Sequence, residues 1–222
     1  MTRLVLTSAF ERALAYAAQL HRHQWRKVNE VPYVSHLLAV AALVLEDGGS
    51  EAEAIAALLH DAVEDQGGLA VLTDIQARFG AGVAALVQGC TVPPRPLGQS
   101  WEGHQQQYLR QVRGASPSVQ RIVLADKLHN GRCLVVNLAQ AGEVTWQAFA
   151  GSRSQVVWFY QQVLLCFAVI KPGWMATELA QVVRRLEDGP SDRSAMSQGL
   201  ERPWALGGND WAVSEQSNNS VP

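Results

Sequence analysis

The sequence predicts an all-α fold, one helical domain over residues 1–187 followed by a flexible tail over 188–222. Apolar residues recur at helical spacing as far as Leu186, no stretch alternates with the period of a strand, and cap and stop signals punctuate the chain at helix-length intervals. At 222 residues with 48% hydrophobic content, the chain can bury one substantial core. After Glu187 the composition turns to Ser, Gly, Asn and Asp without periodicity, which is why the tail is drawn there.

Taken in order, Ser8-Ala9-Phe10-Glu11 reads as the capping box of a first helix carrying Ala13, Leu14, Ala17 and Leu20. That helix ends in His21-Arg22-His23-Gln24-Trp25-Arg26-Lys27. His21 and His23 are two apart and point to different sides, so they read as a solvated helix end. A second helix opens at Tyr33-Val34-Ser35-His36 and runs to Glu46. Gly48 and Gly49 stop it, and Ser50 with Glu53 caps the third, which is expected to continue through Asp65. Thr73 caps a short helix ending at Gly80, and residues 81–89 form another. Residues 91–100 hold three prolines and form a loop. The helix from Trp101 carries His104, which lacks a carboxylate one turn on and is placed at the surface. Ser116-Pro117 starts the helix of Asp126. Residues 144–170 and 174–186 complete the set, with Trp158, Phe159, Val163, Leu164 and Phe167 as a packing stripe.

The third helix carries the chemistry. His60, Asp61, Glu64 and Asp65 fall within an arc of roughly 140° on a continuous helix, opposite Ile55, Ala56, Leu59, Ala62 and Val63. Burying three carboxylates beside an imidazole is costly unless a cation offsets them. His36 stands about 16 Å above the Asp47–Ser50 turn and His60 about 15 Å below it, so an antiparallel hairpin brings the two rings level. Asp126 and Asn130 lie one turn apart on a later, otherwise apolar helix. His36, His60, Asp61 and Asp126 form a two-His, two-carboxylate set suited to one divalent transition ion. His129 reads as a packed histidine behind that set. Arg26 and Lys27 lead the loop into the His36 helix. By residues alone they serve either as an anion contact or as an ordinary basic helix end.

His36, the His60-Asp61 doublet and Asp126 resemble the signature of the HD-domain metal-dependent phosphohydrolases. The narrower likeness is to the hydrolase domain of the RelA/SpoT alarmone enzymes. It is carried by Arg26-Lys27 before Pro32-Tyr33 and His36, by Leu58-Leu59-His60-Asp61-Ala62-Val63-Glu64-Asp65, and by Ala125-Asp126-Lys127-Leu128-His129-Asn130 with Arg132. The resemblance implies an HD-domain helical bundle around a single metal site. It implies one Mn²⁺ held by His36, His60, Asp61 and Asp126, with Glu64 and Asp65 in the hydrolytic step. Arg26, Lys27 and Asn130 become the nucleotide contacts. The implied reaction is removal of the 3′-diphosphate of (p)ppGpp, giving GDP or GTP and pyrophosphate, by a stand-alone small hydrolase similar to the metazoan SpoT homologues. Another nucleotide, (p)ppApp or the 2′-phosphate of NADPH, is the alternative substrate, and a non-catalytic nucleotide sensor is the alternative function.

The chain departs from the family at Glu30, where glycine is usual, and at Leu37, where proline is usual. Val123 and Cys133 stand where relatives carry lysine and a small hydroxyl residue. These changes spare the metal set and touch the nucleotide side. A net charge of −2 supplies no electrostatic case for nucleic acid. No secretory signal and no apolar run of about 20 residues is expected, so neither is a membrane partner. Cys90, Cys133 and Cys166 are scattered and read as reduced thiols of a cytoplasmic protein. A nucleotide is the expected partner, and a homo-oligomer is allowed.

Overall fold

The computed structural model describes residues 4–28 and 30–189, so most of the expected tail lies outside the described residues. Among the described residues nine α-helices follow one another: α1 Ser8–Leu20, α2 Val34–Glu46, α3 Glu51–Leu59, α4 Ala62–Gln66, α5 Gly68–Cys90, α6 Trp101–Gly114, α7 Pro117–Ala141, α8 Arg153–Ile170 and α9 Trp174–Asp188. A 3₁₀ segment, Gly142–Ala148, joins α7 towards α8. Among the described residues no strand forms; Trp25 and Pro32 pair as an isolated antiparallel bridge.

Helix α7 is the axle of the bundle. It packs against α2, α3, α5, α6, α8 and α9, and it buries Ile122, Val123, Leu124, Ala125 and Leu128 in succession. Burial at successive positions, rather than on one stripe, marks a helix surrounded by neighbours. Gly131 lets α7 approach so closely that an added Cβ would stand 2.7 Å from Val182 of α9 and 2.9 Å from Tyr160 of α8. Ser116 caps its start as the sequence indicates, accepting from the Val119 amide, with proline in the first turn.

The α2–α3 hairpin forms as expected, with the Ser50–Glu53 capping box present in both directions. Its bend is held by charge. Asp47 accepts from Arg121 Nε at 2.8 Å and from Lys171 Nζ at 2.8 Å, while Arg121 also reaches Glu53. The bend between α2 and α3 is thereby tied to α7 and to the α8–α9 turn.

Several boundaries differ from expectation. Thr7, rather than Ser8, caps α1, its hydroxyl accepting from the Ala9 amide. The helix of His60 breaks: α3 stops at Leu59 and α4 restarts at Ala62, with Asp61 at φ −92°, ψ −6°. Thr73 lies inside α5, which starts at Gly68, because Gly67 and Gly68 take positive φ and allow an immediate restart. The expected break at Gly80 is present, at φ 88°. Residues 144–170 are two elements, the 3₁₀ segment and α8, which begins at its own Ser152–Gln155 capping box.

By length and composition α5 is apolar enough to cross a membrane, with a mean hydropathy of 1.3, contrary to the expectation that no stretch reaches that length. It is kinked at Gly80, carries the Asp74–Arg78 ion pair, and buries Ile75, Val83, Ala84 and Val87 in the core.

Candidate metal centre and adjoining cavities

The hairpin sets the imidazoles of His36 and His60 with ring centroids 5.2 Å apart, and α7 delivers Asp126 against them. His36 Nε2 stands 3.2 Å from Asp126 Oδ1 and 3.5 Å from Asp61 Oδ2. His60 Nε2 stands 3.1 Å from Asp61 Oδ2 and 3.6 Å from Asp126 Oδ1. Donors of His36, His60 and Asp126 all lie within 4.8 Å of one another. Ligand atoms about 2.0–2.2 Å from a shared ion stand about 3.0–3.6 Å apart, so the spacing suits a metal.

Tautomers support the same reading. His60 Nδ1 lies 2.8 Å from the Ala57 carbonyl, which can only accept, so the proton is on Nδ1 and Nε2 of the neutral ring presents a lone pair. His36 Nδ1 lies 2.7 Å from His129 Nδ1. Burial, then the neighbouring His36 and Arg26, lowers the pKa of His129 to about 4, so His129 is neutral and can accept. The Nε2 atoms of His36 and His60 are buried without a hydrogen-bond partner. Lone pairs and carboxylates converging in so dry a place repel unless a cation lies among them. Burial alone would raise the carboxyl pKa of Asp61 and of Asp126. His60 beside Asp61, and Lys127 beside Asp126, outweigh it and hold both low. Burial would likewise lower the pKa of His60, yet the Asp61 carboxylate raises it well above the usual value; without an ion the ring takes a second proton on Nε2, and a metal would replace that proton as the cation among the carboxylates. The residues fit a divalent ion.

Past the break in the His60 helix the two acids diverge, because Glu64 and Asp65 no longer continue the turn that carries His60. Glu64 accepts from the Val92 amide at 2.7 Å and lines a small cavity of about 40 Å³ with His60, Asp61, Asp126 and Lys127. Its carboxyl pKa is raised to about 7, first by burial and then by the charges of Asp61 and Asp126, against the Val92 bond. Asp65 is exposed, accepts from Gln24 Nε2 at 2.8 Å, and lines neither cavity.

A larger cavity of about 300 Å³ adjoins the centre. Arg26, Lys27, Tyr33 and Asn130 form its polar flank; Trp101, Phe149, Val156 and Phe159 form its apolar one. Arg26 donates to Asn130 Oδ1 at 2.7 Å and lies over the Tyr33 ring, and Asn130 in turn donates to Asp126 Oδ1. Arg26, Lys27 and Asn130 therefore meet on one wall. Phe159, expected in the core stripe, faces this cavity, while Val163 and Phe167 are core.

Two further residues reach the centre beside those to which the sequence assigns a role. The Tyr33 hydroxyl donates to Asp61 Oδ2 at 2.6 Å, and Lys127 pairs with Asp126 Oδ2 at 2.8 Å. The clue to Lys127 is a second charge, next to that of Asp126, in a run from Ile122 to Leu128 that is apolar at every other position. Two histidines expected in solvent are buried. His21 stacks on Tyr33 with centroids 5.3 Å apart and bonds Gln24, and His104 Nε2 donates to the Pro93 carbonyl at 2.7 Å. His23 is exposed as expected.

Comparison with known proteins gives a consistent pattern. The family described as HD domain matches residues 13–155. A guanosine-3′,5′-bis(diphosphate) 3′-pyrophosphohydrolase of Drosophila melanogaster is 38% identical over 137 residues, covering 59% of this chain and 72% of the fly protein. A protein of the same name from Aquifex aeolicus is 36% identical over 126 residues, and this chain spans 18% of its length. The solved structure of a metazoan ortholog of SpoT that hydrolyses ppGpp superposes with a TM-score of 0.67 at 27% identity, covering 82% of this chain and 97% of that one.

Proposed function

The chain belongs to the HD domain family, and from that membership we propose that it is a metal-dependent guanosine-3′,5′-bis(diphosphate) 3′-pyrophosphohydrolase. One observation carries the reading. Two buried Nε2 atoms without partners face two carboxylates, which are bonded by Tyr33 and Asn130 from the wall of a cavity flanked by Arg26 and Lys27. His36, His60, Asp61 and Asp126 would hold the ion, and Mn²⁺ suits a set of two imidazoles and two carboxylates. Such an ion polarises a phosphoryl oxygen and acidifies bound water.

The protein's own groups divide the remaining work. Arg26 and Lys27 offset the charge of the diphosphates, Asn130 holds the ribose or phosphate, and the aromatic flank receives the base. Water in the small cavity gives its proton to Glu64 and attacks the phosphorus bonded to the 3′-oxygen. The new P–O bond forms as the 3′-O–P bond breaks. Pyrophosphate leaves with the water oxygen, and Glu64 returns the proton to the departing 3′-oxygen, which becomes the 3′-hydroxyl of the nucleotide. Asp65 is assigned to holding Gln24 and, through it, Gln66 and His21.

The test is a panel of ppGpp, pppGpp, ppApp and NADPH with Mn²⁺, products resolved by ion exchange. GDP and pyrophosphate from ppGpp are expected. Cys133 in the cavity wall, where relatives carry a hydroxyl, favours a second substrate reading, so faster release of phosphate from NADPH or of pyrophosphate from ppApp would replace the guanine assignment. Binding of ppGpp without cleavage would make the chain a sensor.

A further inference from the structure

Two cavities with different linings adjoin the candidate centre and divide its chemistry between them. The large one holds Arg26, Lys27 and Asn130 but none of the four ligands; the small one holds His60, Asp61, Asp126 and Glu64 but no arginine. A phosphate ester held in one and a water activated in the other can react only where the two walls meet. Lys127 is the residue that both walls share.

The surroundings of Lys127 suit a fixed charge. Its side chain is 17% exposed, with Nζ 2.8 Å from Asp126 Oδ2 and 5.3 Å from the centroid of the Tyr108 ring. The oxygen of Asp126 that faces the imidazoles is Oδ1, so Lys127 occupies the other oxygen and does not block the site. An ammonium has three N–H donors. Asp126 takes one and the ring face draws on the charge, which leaves donor capacity at the junction.

We propose that Lys127 is a catalytic residue that contacts the phosphoryl group under attack and neutralises the charge gathering on its non-bridging oxygens. The proposal rests on the hydrolase reading above. Lys127 stays protonated throughout; the bonds made and broken are those of the hydrolysis, and the proton of water still goes to Glu64. A lysine serving only as counter-charge to Asp126 would instead be needed to keep the metal.

The experiment compares wild type, Lys127→Met and Lys127→Arg by Mn²⁺ titration calorimetry, by pyrophosphate binding to the Mn²⁺-loaded protein, and by turnover of ppGpp. With a positive charge removed beside Asp126, Lys127→Met is expected to bind Mn²⁺ at least as tightly as wild type. Its kcat should fall about 100-fold or more, as for loss of a transition-state charge donor. Pyrophosphate should bind about tenfold more weakly, and Lys127→Arg should recover at least about tenfold of the lost kcat. Loss of Mn²⁺ together with activity in Lys127→Met overturns the proposal, as does a kcat close to wild type. If the Met variant does not fold, Lys127→Gln, which keeps a donor to Asp126 but no charge, makes the same comparison. Wild type that never cleaves ppGpp overturns the hydrolase reading and this one with it. Equal cleavage by wild type and Lys127→Met overturns this one alone.

Discussion

Glu64 lies three residues past Asp61, yet the break in the helix turns its carboxyl onto the small cavity, where the Val92 amide holds it. As a residue it is exposed at the rim, whereas its carboxyl stands among the crowded groups of the site, which raise its pKa to about 7. Glu64→Gln keeps size and hydrogen bonding and removes the group that takes the proton. Its kcat should fall by about two orders of magnitude or more, with Mn²⁺ content unchanged, as steady-state kinetics and metal analysis would show. In the metal-free chain the same group predicts a pH effect. A carboxyl whose folded pKa is raised from 4.5 to about 7 favours folding while protonated, and that contribution is lost as pH climbs through this window. Denaturant melts of Glu64→Gln and wild type should therefore agree near pH 4 and diverge by about 1 kcal/mol near pH 8, the variant being more stable, after allowance for solvent screening. At this scale the sequence was informative where helix arithmetic applied. His36, His60 and Asp126 converge because turns per residue and the length of a hairpin are calculable. Tyr33 and Lys127 escape that arithmetic, since one reaches across from a loop and the other neighbours a ligand in sequence without sharing its face. His104 escapes it for a related reason: its partner is a backbone carbonyl in a proline-rich loop, which no residue pattern announces. Glu30 sits at φ 44°, in the left-handed region, which accounts physically for glycine being the usual residue there.

Among elements, α7 carries a signal that is easy to see and hard to place. The apolar run Ile122–Ala125 indicates burial, but not which neighbours surround it; two of them, α8 and α9, lie almost wholly past the residues 13–155 that the HD domain family matches. Gly131 marks the tightest of these contacts. Alanine would favour the helix by about 1 kcal/mol, but its methyl would meet Val182 and Tyr160 at less than 3 Å. Overpacking of this kind costs about 1–3 kcal/mol. Gly131→Ala should therefore lower the urea midpoint despite its better propensity, and a midpoint at or above wild type would show that α9 gives way freely. The break at His60–Asp61 was not legible because nothing in Leu59-His60-Asp61-Ala62 disfavours a helix. Ala62, fully buried, continues the apolar face in either geometry. The break follows from tertiary demands on Asp61, which must face both imidazoles and Tyr33. The false start at Ser8 is a one-residue matter: Thr7 and Ser8 are both good caps, and Thr7 is also tied to Glu51 through its amide.

At the level of the whole molecule, the ligands come from three segments and meet only when α2, α3 and α7 are packed together, so an ion bound there stabilises the entire bundle. At a free Mn²⁺ concentration about 100 times its Kd the gain is about 2.7 kcal/mol. For a domain of this size that is a rise in Tm of about 5–10 °C over protein treated with chelator. Scanning calorimetry with and without Mn²⁺ would measure it, and an unchanged Tm would separate the buried His–Asp cluster from any metal. The bend between α2 and α3, clamped by Asp47, Arg121 and Lys171, acquires a further meaning from its distance to that cluster. The two helices are arms of a pair of tweezers about 16 Å long, pivoting at the clamp and closing on the ion at their tips. With arms of that length, one degree of opening at the pivot separates His36 from His60 by about 0.3 Å. Coordination bonds tolerate only about 0.2 Å. The accuracy of the grip is therefore set at the far end of the hairpin, by three charges that never touch the ion.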